Sequence, residues 1–392
     1  MKKSEVSSIT APRTFKRRAF LQRLGVAAAA AAPASRVLNA QSTMGPTPGD
    51  IAILKLLAAA EIIETDLWIQ YSELGGTQDN EVSGVGGGNA LYTAALAILD
   101  GDMAQYIHDN TDDERSHVSF LNNYLMSKGQ QPVSLEQFRR LPSSQANGAN
   151  KSAKRLTNLT ELTIDTSFWS RYRSITNPDF DPGAPLVQAV PSLAVEKHTA
   201  IPRVNDDTAG SSVSDDNAES ITPFLQAIAF TAGFHFAFIE CGGTSLYATL
   251  AQQVNSVEVL RILLSIGGSE IMHFQTWQDK AGNALPLTDV KDPRTGVSVS
   301  FSDLTMAQGE TSPESLKGNT LQSNLIMPEP THFLNPALGP VSIIRPSSTK
   351  NSGAVAAITG FKNDGLFIGQ GDDFLNFVME LAEAADAAQR GF

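Results

Sequence analysis

The sequence predicts an all-α core of four long helices, with a long crossover between the second and third helices. Four segments place apolar residues three and four positions apart, which is the spacing of one helix face. Two of these segments carry a Glu three residues before a His. The segment between the second and third helices is too long for a simple connection. A mostly irregular C-terminal extension that ends in a helix completes the predicted fold.

The composition is that of a globular protein that can bury its own core. The chain has 392 residues, of which 42% are hydrophobic and 18% are charged. Its net charge of -12 argues against nucleic acid or an anionic membrane as a partner, because both attract clustered Lys and Arg. Cys241 is the single cysteine, which excludes an intrachain disulfide and a Cys₂His₂ zinc site.

Residues 1–44 are predicted to be a twin-arginine signal peptide and linker. Residues 16–22 read KRRAFLQ and precede an apolar run from Leu24 to Ala32, after which small residues follow. An ordinary secretory signal is the alternative. We therefore expect a periplasmic or secreted protein. No later run approaches the ~20 apolar residues of a membrane span, so none is expected in the mature protein.

The first long helix is predicted from Ile51 to Glu73, with Asp50 as its N-cap. Glu61 and Glu64 lie on or beside its apolar stripe, where an unpaired buried carboxylate would be costly. Either residue is a candidate metal ligand, or both edge the stripe and stay in water. The glycine-rich segment 75–88 that follows is interpreted as a flexible connection, because it lacks the Lys-Ser/Thr of a phosphate-binding loop.

The second long helix is predicted from Asp102 to Lys128, after a short apolar segment over Asn89–Leu99. Glu114 and His117 share one face with apolar residues further along the helix, so the predicted ligand face continues the core face. An inward His alone is more often a satisfied core residue. Its pairing with Glu114 favours a metal ligand.

The third long helix, from Pro223 to Val254, is apolar on nearly every side and is therefore predicted to be buried. Glu240 falls within it, and a carboxylate in such surroundings needs a cation or a hydrogen-bond partner. His235 lies off this ligand face and is expected in the core or beside the site.

The fourth long helix is predicted from Ser256 to Lys280, with Glu270 and His273 on its apolar stripe. Two Glu-x-x-His pairs, with one Glu from each of two further helices, make up the site of di-iron and di-manganese carboxylate bundles. A third copy of the pattern, Glu329 to His332, lies between prolines and is interpreted as a coincidence within a loop.

The crossover, residues 143–222, is expected to be partly ordered by Phe168, Trp169 and Tyr172, with His198 on the surface. The C-terminal extension, residues 283–392, is expected to be mostly irregular. Its short apolar runs at 341–344 and 355–358 could form strands. A last amphipathic helix is predicted over 372–388.

These segments resemble the ferritin-like superfamily, and most closely its desiccation-related branch. The resemblance is carried by residues 50–64, 113–121, 240–247 and 270–273, and it extends over about 50–130 and 220–280. It implies a four-helix bundle over residues 45–282 that binds two metal ions, iron or manganese. The implied ligands are Glu61 (with Glu64 as the alternative), Glu114, His117, Glu240, Glu270 and His273.

The resemblance also implies a role for each ligand. Glu114 and Glu270 would bridge the metals, while Glu61 and Glu240 would each cap one of them. Asp113 would orient His273, whereas its counterpart beside Glu270 is Ser269, which leaves His117 less firmly held. Tyr247 is expected beside the ligands.

The function expected from this site is oxidation of Fe(II) or removal of peroxide, with O₂ or peroxide as the partner molecule. The alternative is a non-enzymatic, stress-protective or structural bundle that only binds metal. An oligomer is possible, although the crossover and the extension would hinder assembly of a closed cage.

Overall fold

The computed structural model describes residues 45–81, 87–169, 188–214, 217–304 and 353–391, with backbone alone for 217–219. The described residues from Pro46 onward belong to one compact unit. The predicted signal peptide, the Glu329–His332 pattern, the run at 341–344 and Tyr172 lie outside the described residues.

The described part of the chain is mainly helical, as predicted. The long helices are α1 (Pro48–Gly75), α3 (Met103–Ser127), α4 (Pro223–Ala251) and α5 (Val257–Ala281). The shorter ones are α2 (Ala90–Leu96), α6 (Ala354–Asp364) and α7 (Asp372–Asp386). Three two-stranded antiparallel hairpins lie outside the helical core: β1 (Leu141–Pro142) with β2 (Lys154–Arg155), β3 (Ser212–Ser214) with β4 (Asn217–Ser220), and β5 (Leu287–Lys291) with β6 (Ser298–Phe301).

Helix α1 begins three residues earlier than predicted, and its N-cap is Thr47 rather than Asp50. The Thr47 hydroxyl accepts from the Asp50 amide, and the Asp50 carboxylate accepts from the Thr47 amide, which is a capping box. The same carboxylate accepts from the amides of Asn255 and Ser256 at 2.8 and 3.1 Å. Asp50 therefore fastens the start of α1 to the start of α5.

The long helices pack around shared aromatic side chains. The Trp68 ring on α1 lies 4.9 Å from Phe236 on α4 and 5.4 Å from Trp277 on α5, between ring centroids. Phe236 and Trp277 are 4.8 Å apart, so the three rings form one fully buried cluster. Aromatic contacts of this kind add to the burial of apolar area and fix how the helices face one another.

Helix α4 is the most apolar element of the core. By length and composition it is apolar enough to cross a membrane, with a mean hydropathy of 1.4, whereas the sequence was expected to contain no such segment. In the structure, 78% of that apolar window is buried inside the protein. Its environment is thus the one predicted for a helix that is hydrophobic all round.

The crossover is anchored to α1 by buried polar contacts. The Asp66 carboxylate accepts from the amides of Leu156 and Thr157, both at 2.9 Å, and pairs with Arg139. His198 was expected on the surface but is only 7% exposed. Its Nε2 lies 3.1 Å from the Ser192 carbonyl oxygen, and its backbone pairs with Leu162, so the crossover folds over it.

The C-terminal extension contributes two helices. The run at 355–358, interpreted as a possible strand, lies inside α6 instead. A short apolar run does not distinguish the two structures, and here the Asp386 carboxylate of α7 accepts from the Ala354 and Val355 amides, which caps the helix. Helix α7 packs against α1, and its Phe374 and Val378 are fully buried.

Candidate metal centre

The structure brings all six predicted ligands together from the four long helices. They form two overlapping sets, in each of which the candidate ligand atoms lie within 4.8 Å of one another. One set is Glu61, Glu114, His117 and Glu270, and the other is Glu114, Glu240, Glu270 and His273. Glu114 and Glu270 belong to both sets, which is the arrangement expected of carboxylates that bridge two ions.

His117 faces three carboxylates through its Nδ1. That atom lies 2.9 Å from Glu114 Oε2, 3.3 Å from Glu61 Oε2 and 3.5 Å from Glu270 Oε1. Glu114 is one helical turn away on α3, so the Glu-x-x-His spacing sets the shortest of these distances.

His273 faces the other set in the same way. Its Nδ1 lies 3.1 Å from Glu114 Oε1 and 3.3 Å from Glu240 Oε2. Its Nε2 lies 3.0 Å from Asp113 Oδ2, as expected from the position of Asp113. With a metal ion in the centre, a carboxylate at Nε2 would hold the proton there and leave the Nδ1 lone pair for the ion.

The Tyr247 hydroxyl donates a hydrogen bond to Glu61 Oε1. Tyr247 follows Glu240 by two helical turns on α4, yet its partner is the carboxylate of α1. Burial, together with the charges of Glu61 and Glu270, raises the pKa of Tyr247 well above its ordinary value, so the hydroxyl keeps its proton at neutral pH. Tyr247 thereby ties Glu61 to the opposite helix.

Asn110 is a polar residue of the centre that the sequence analysis missed. Its Nδ2 donates to Glu114 Oε1 at 2.8 Å and to Glu240 Oε1 at 3.0 Å, and its Oδ1 accepts from Trp277 Nε1 at 2.7 Å. Asn110 lies four residues before Glu114, on the same face of α3. That spacing is the signal that would have found it.

Two glycines make room for the centre where helices α4 and α5 meet. A Cβ built at Gly243 would collide with the Glu270 carboxylate, with its Cδ only 3.2 Å away. A Cβ at Gly267 would lie 3.0 Å from the Cβ of Tyr247. A side chain at Gly243 would displace the Glu270 carboxylate, and one at Gly267 would push against Tyr247, because real Cβ contacts are rarely that close.

The carboxylates carry buried oxygens that nothing in the described chain satisfies. Both Glu270 oxygens and Glu240 Oε2 are sealed from solvent and accept no hydrogen bond, although His side chains lie at ion-pair distance. Among the described residues, no Lys or Arg pairs with any of the four ligand carboxylates. Orphaned buried acids of this kind require protons or cations.

The pKa values show the same deficit of positive charge. Burial raises the pKa of Glu114 to about 7, although hydrogen bonds from His117 and His273 oppose the shift. Burial and the charge of Glu114 raise the pKa of Glu270 well above its usual range. Although burial disfavours its protonation, hydrogen bonds to Glu114 and Glu61 raise the pKa of His117 to about 10. Four carboxylates balance the charge of two divalent cations, so the donor set fits a metal pair.

Glu64, the alternative to Glu61, belongs to neither ligand set. Its Oε1 is sealed without a hydrogen-bond partner, and burial, followed by the charges of Glu240 and Glu114, raises its pKa well above the usual range. The geometry therefore favours Glu61 as the ligand on α1 and places Glu64 beside the centre.

A cavity of about 310 Å³ adjoins the Glu61 side of the centre. It is walled by α1, α4, α6 and residues 165–168 of the crossover, and Glu61, Glu64 and Tyr247 all contribute to its lining. Residues 165–168 of the crossover and helix α6 of the extension thus line one cavity next to Glu61.

Two further histidines lie outside the centre. His235 is buried, its Nδ1 lies 2.7 Å from the Tyr71 hydroxyl, and burial lowers its pKa to about 3, so it is a neutral core residue. His108 forms a separate group with Asp79 and Glu81, both exposed, and its Nε2 lies 3.0 Å from Asp79 Oδ1. That group has hydrogen bonds within itself and supplies no ligand to the centre.

Comparisons of the chain with protein-family models, curated proteins and solved structures found no match. The case for a function therefore comes from the residues themselves.

Proposed function

We propose that this chain is an exported ferritin-like protein whose long helices form a four-helix bundle around a dinuclear iron or manganese centre. The single observation that carries the proposal is the pair of overlapping ligand sets, which share Glu114 and Glu270. An ordinary buried ion pair would not gather four acids and two imidazoles with so many oxygens unsatisfied.

We propose that the protein oxidises Fe(II) or removes peroxide. A bound pair of iron or manganese ions would supply redox chemistry in two-electron steps. The protein's own contribution is to fix the donors: Asp113 holds the proton on Nε2 of His273, and Asn110 orients Glu114 and Glu240. The Tyr247 hydroxyl holds Glu61 and keeps a proton at the edge of the adjoining cavity.

The proposal is tested first by metal content. The full chain, purified after export, should contain about two iron or manganese ions per chain, whereas the Glu114→Ala, Glu270→Ala double variant should contain none. Because these acids are buried with raised pKa values, the double variant should still fold, which circular dichroism would show. A wild-type protein without bound metal at saturating Mn(II) or Fe(II) would overturn the proposal.

The catalytic part is tested separately by following O₂ or peroxide consumption when Fe(II) is added to the metal-free protein. Consumption in the wild type that is absent in the double variant supports an oxidase or peroxidase role. A protein that holds two metals but consumes neither oxidant belongs instead to the non-enzymatic class.

A further inference from the structure

The cavity beside the Glu61 ligand has walls suited to an organic molecule. Its apolar lining comes from Ile63 and Leu67 on α1, Phe238 and Leu246 on α4, and Phe361 on α6. A volume of about 310 Å³ is at the small end of the range for ligand sites, and it exceeds what an ion or O₂ requires. Mostly apolar walls with a few polar groups are typical of sites for small organic ligands.

The cavity lining offers several acidic groups and no basic one among the described residues. Glu64, Asp165 and Asp364 contribute carboxyl groups, and no Lys or Arg lines the cavity among the described residues. Asp165 is already engaged, since its Oδ1 accepts from the Ser167 amide and from Gln188 Nε2, both at 2.9 Å. Glu64 differs, because the residue is half-buried at the cavity wall and its Oε1 has no hydrogen-bond partner.

An anionic ligand would meet these carboxyl groups with no compensating base, whereas a ligand with an ammonium group would satisfy them. We propose that the cavity is the binding site for a compact apolar amine, with its ammonium group at Glu64 and its apolar body against Phe238 and Phe361. Glu61 and Tyr247 share the lining, so the bound amine lies directly beside the metal centre. The inference rests on the proposed function only for the presence of metal at that boundary.

The wall of the cavity also gives a role to segments outside the four long helices. Asp165 to Phe168 of the crossover and Ala357 to Asp364 of the extension line the cavity together with α1 and α4. These two segments therefore select the ligand, while the long helices hold the metals.

The test uses 2-phenylethylamine as the probe and phenylacetate, of similar size and opposite charge, as the comparator. Ligand-observed NMR titrations on the full chain loaded with Zn(II) should show the amine binding at least tenfold more tightly than phenylacetate. Loading with paramagnetic Mn(II) should broaden the signals of the bound amine, because the cavity adjoins the centre. Equal binding of the two probes, or no binding of the amine, would overturn the inference.

Substitutions place the probe in the cavity. Ala357→Phe fills the space from α6 and should weaken amine binding at least tenfold, whereas Ala356→Phe, one residue away and outside the lining, should not. Glu64→Gln tests the acid without adding bulk and should remove the preference for the amine over phenylacetate. If the amine binds all three variants as it binds the wild type, the site is elsewhere.

The outcomes separate this inference from the proposed function. If the chain binds the amine but retains no Mn(II), the amine site is supported and the proposed metal centre is refuted. If the chain retains two Mn(II) ions but binds neither probe, the metal centre is supported and the proposed amine site is refuted.

Discussion

Gly243 of α4 lies directly against the carboxylate of Glu270 on α5, so that a Cβ at this position would occupy the space of the Glu270 oxygens. Glu270, one of the two residues that the ligand sets share, therefore has room for its carboxylate only because the neighbouring helix has no side chain at position 243.

Gly243→Ala should therefore displace Glu270 and reduce the metal content to one ion or fewer per chain. Inside a helix without such a contact, a glycine-to-alanine change would stabilise the protein by about 0.5–1 kcal/mol. Gly268→Ala is the matched control, because a Cβ there meets nothing within 4 Å and the metal content should be unchanged. Metal analysis and thermal unfolding of both variants would check this, and full metal content in Gly243→Ala would refute it.

Tyr247→Phe should weaken binding of the ion in the Glu61 set by roughly 10- to 100-fold, as for other residues that orient metal ligands. The variant removes the hydroxyl that holds Glu61 and leaves the ring in place. Tyr71→Phe is the control: it removes an equally buried hydroxyl that contacts His235 instead of a ligand. It should cost stability of about 1–3 kcal/mol without changing the metal affinity. Competition titrations with a metal-binding dye would distinguish the two.

Asp113→Asn should weaken binding of the ion in the His273 set, because the Asp113 carboxylate orients the His273 imidazole. The hydrogen bond between them holds the pKa of Asp113 below its usual value. Ser269→Asp places an acid at the corresponding position beside Glu270 and should strengthen binding of the ion in the His117 set. Stepwise metal titration monitored by calorimetry would assign each change to one ion. Identical effects of both variants on the two binding steps would contradict the prediction that Asp113 acts on the His273 set and position 269 on the His117 set.

Asp364→Asn should stabilise the protein at pH 8 and leave it unchanged at pH 4. Burial, followed by the charge of Asp165, raises the pKa of Asp364 to about 7, with Lys197 acting in the opposite direction. The unfolded carboxyl titrates near pH 4, so between about pH 4 and 7 the folded state binds the additional proton. The contribution of Asp364 to the free energy of unfolding is therefore fully present below about pH 4 and is lost as the pH rises through 7.

We expect a gain of about 1–2 kcal/mol for Asp364→Asn at pH 8, after allowance for its partial exposure. Urea unfolding at the two pH values would measure it. Asp373→Asn should behave oppositely, because the hydrogen bond from Arg140 lowers the pKa of Asp373 and the variant removes the negative charge that this bond favours. A pH-independent effect of Asp364→Asn would show that the carboxyl group titrates normally.

The long helices and the ligand set were predictable because both depend on local spacing. Glu114 with His117, and Glu270 with His273, lie one turn apart on apolar faces, and that pattern survives in any fold that buries those faces. Glu61 could be separated from Glu64 only in the structure, because the two residues differ by one turn on the same helix. Whether residues 16–22 direct export stays a prediction.

Features that depend on distant contacts could not be predicted. Gly243 matters through Glu270, which lies on the next helix, and a helical glycine gives no sign of this in the sequence. His198 is buried because the crossover folds over it, although its neighbours are polar. The run at 355–358 is helical because Asp386, about thirty residues later, caps it.

Part of the cavity wall comes from residues 165–168 and 357–364, which supply none of the candidate metal ligands. In the proposed arrangement, mutations in residues 165–168 or 357–364 would alter which molecule is admitted while the metal ligands stay unchanged. Related chains could then differ in the molecule that they bind while retaining the same metal ligands.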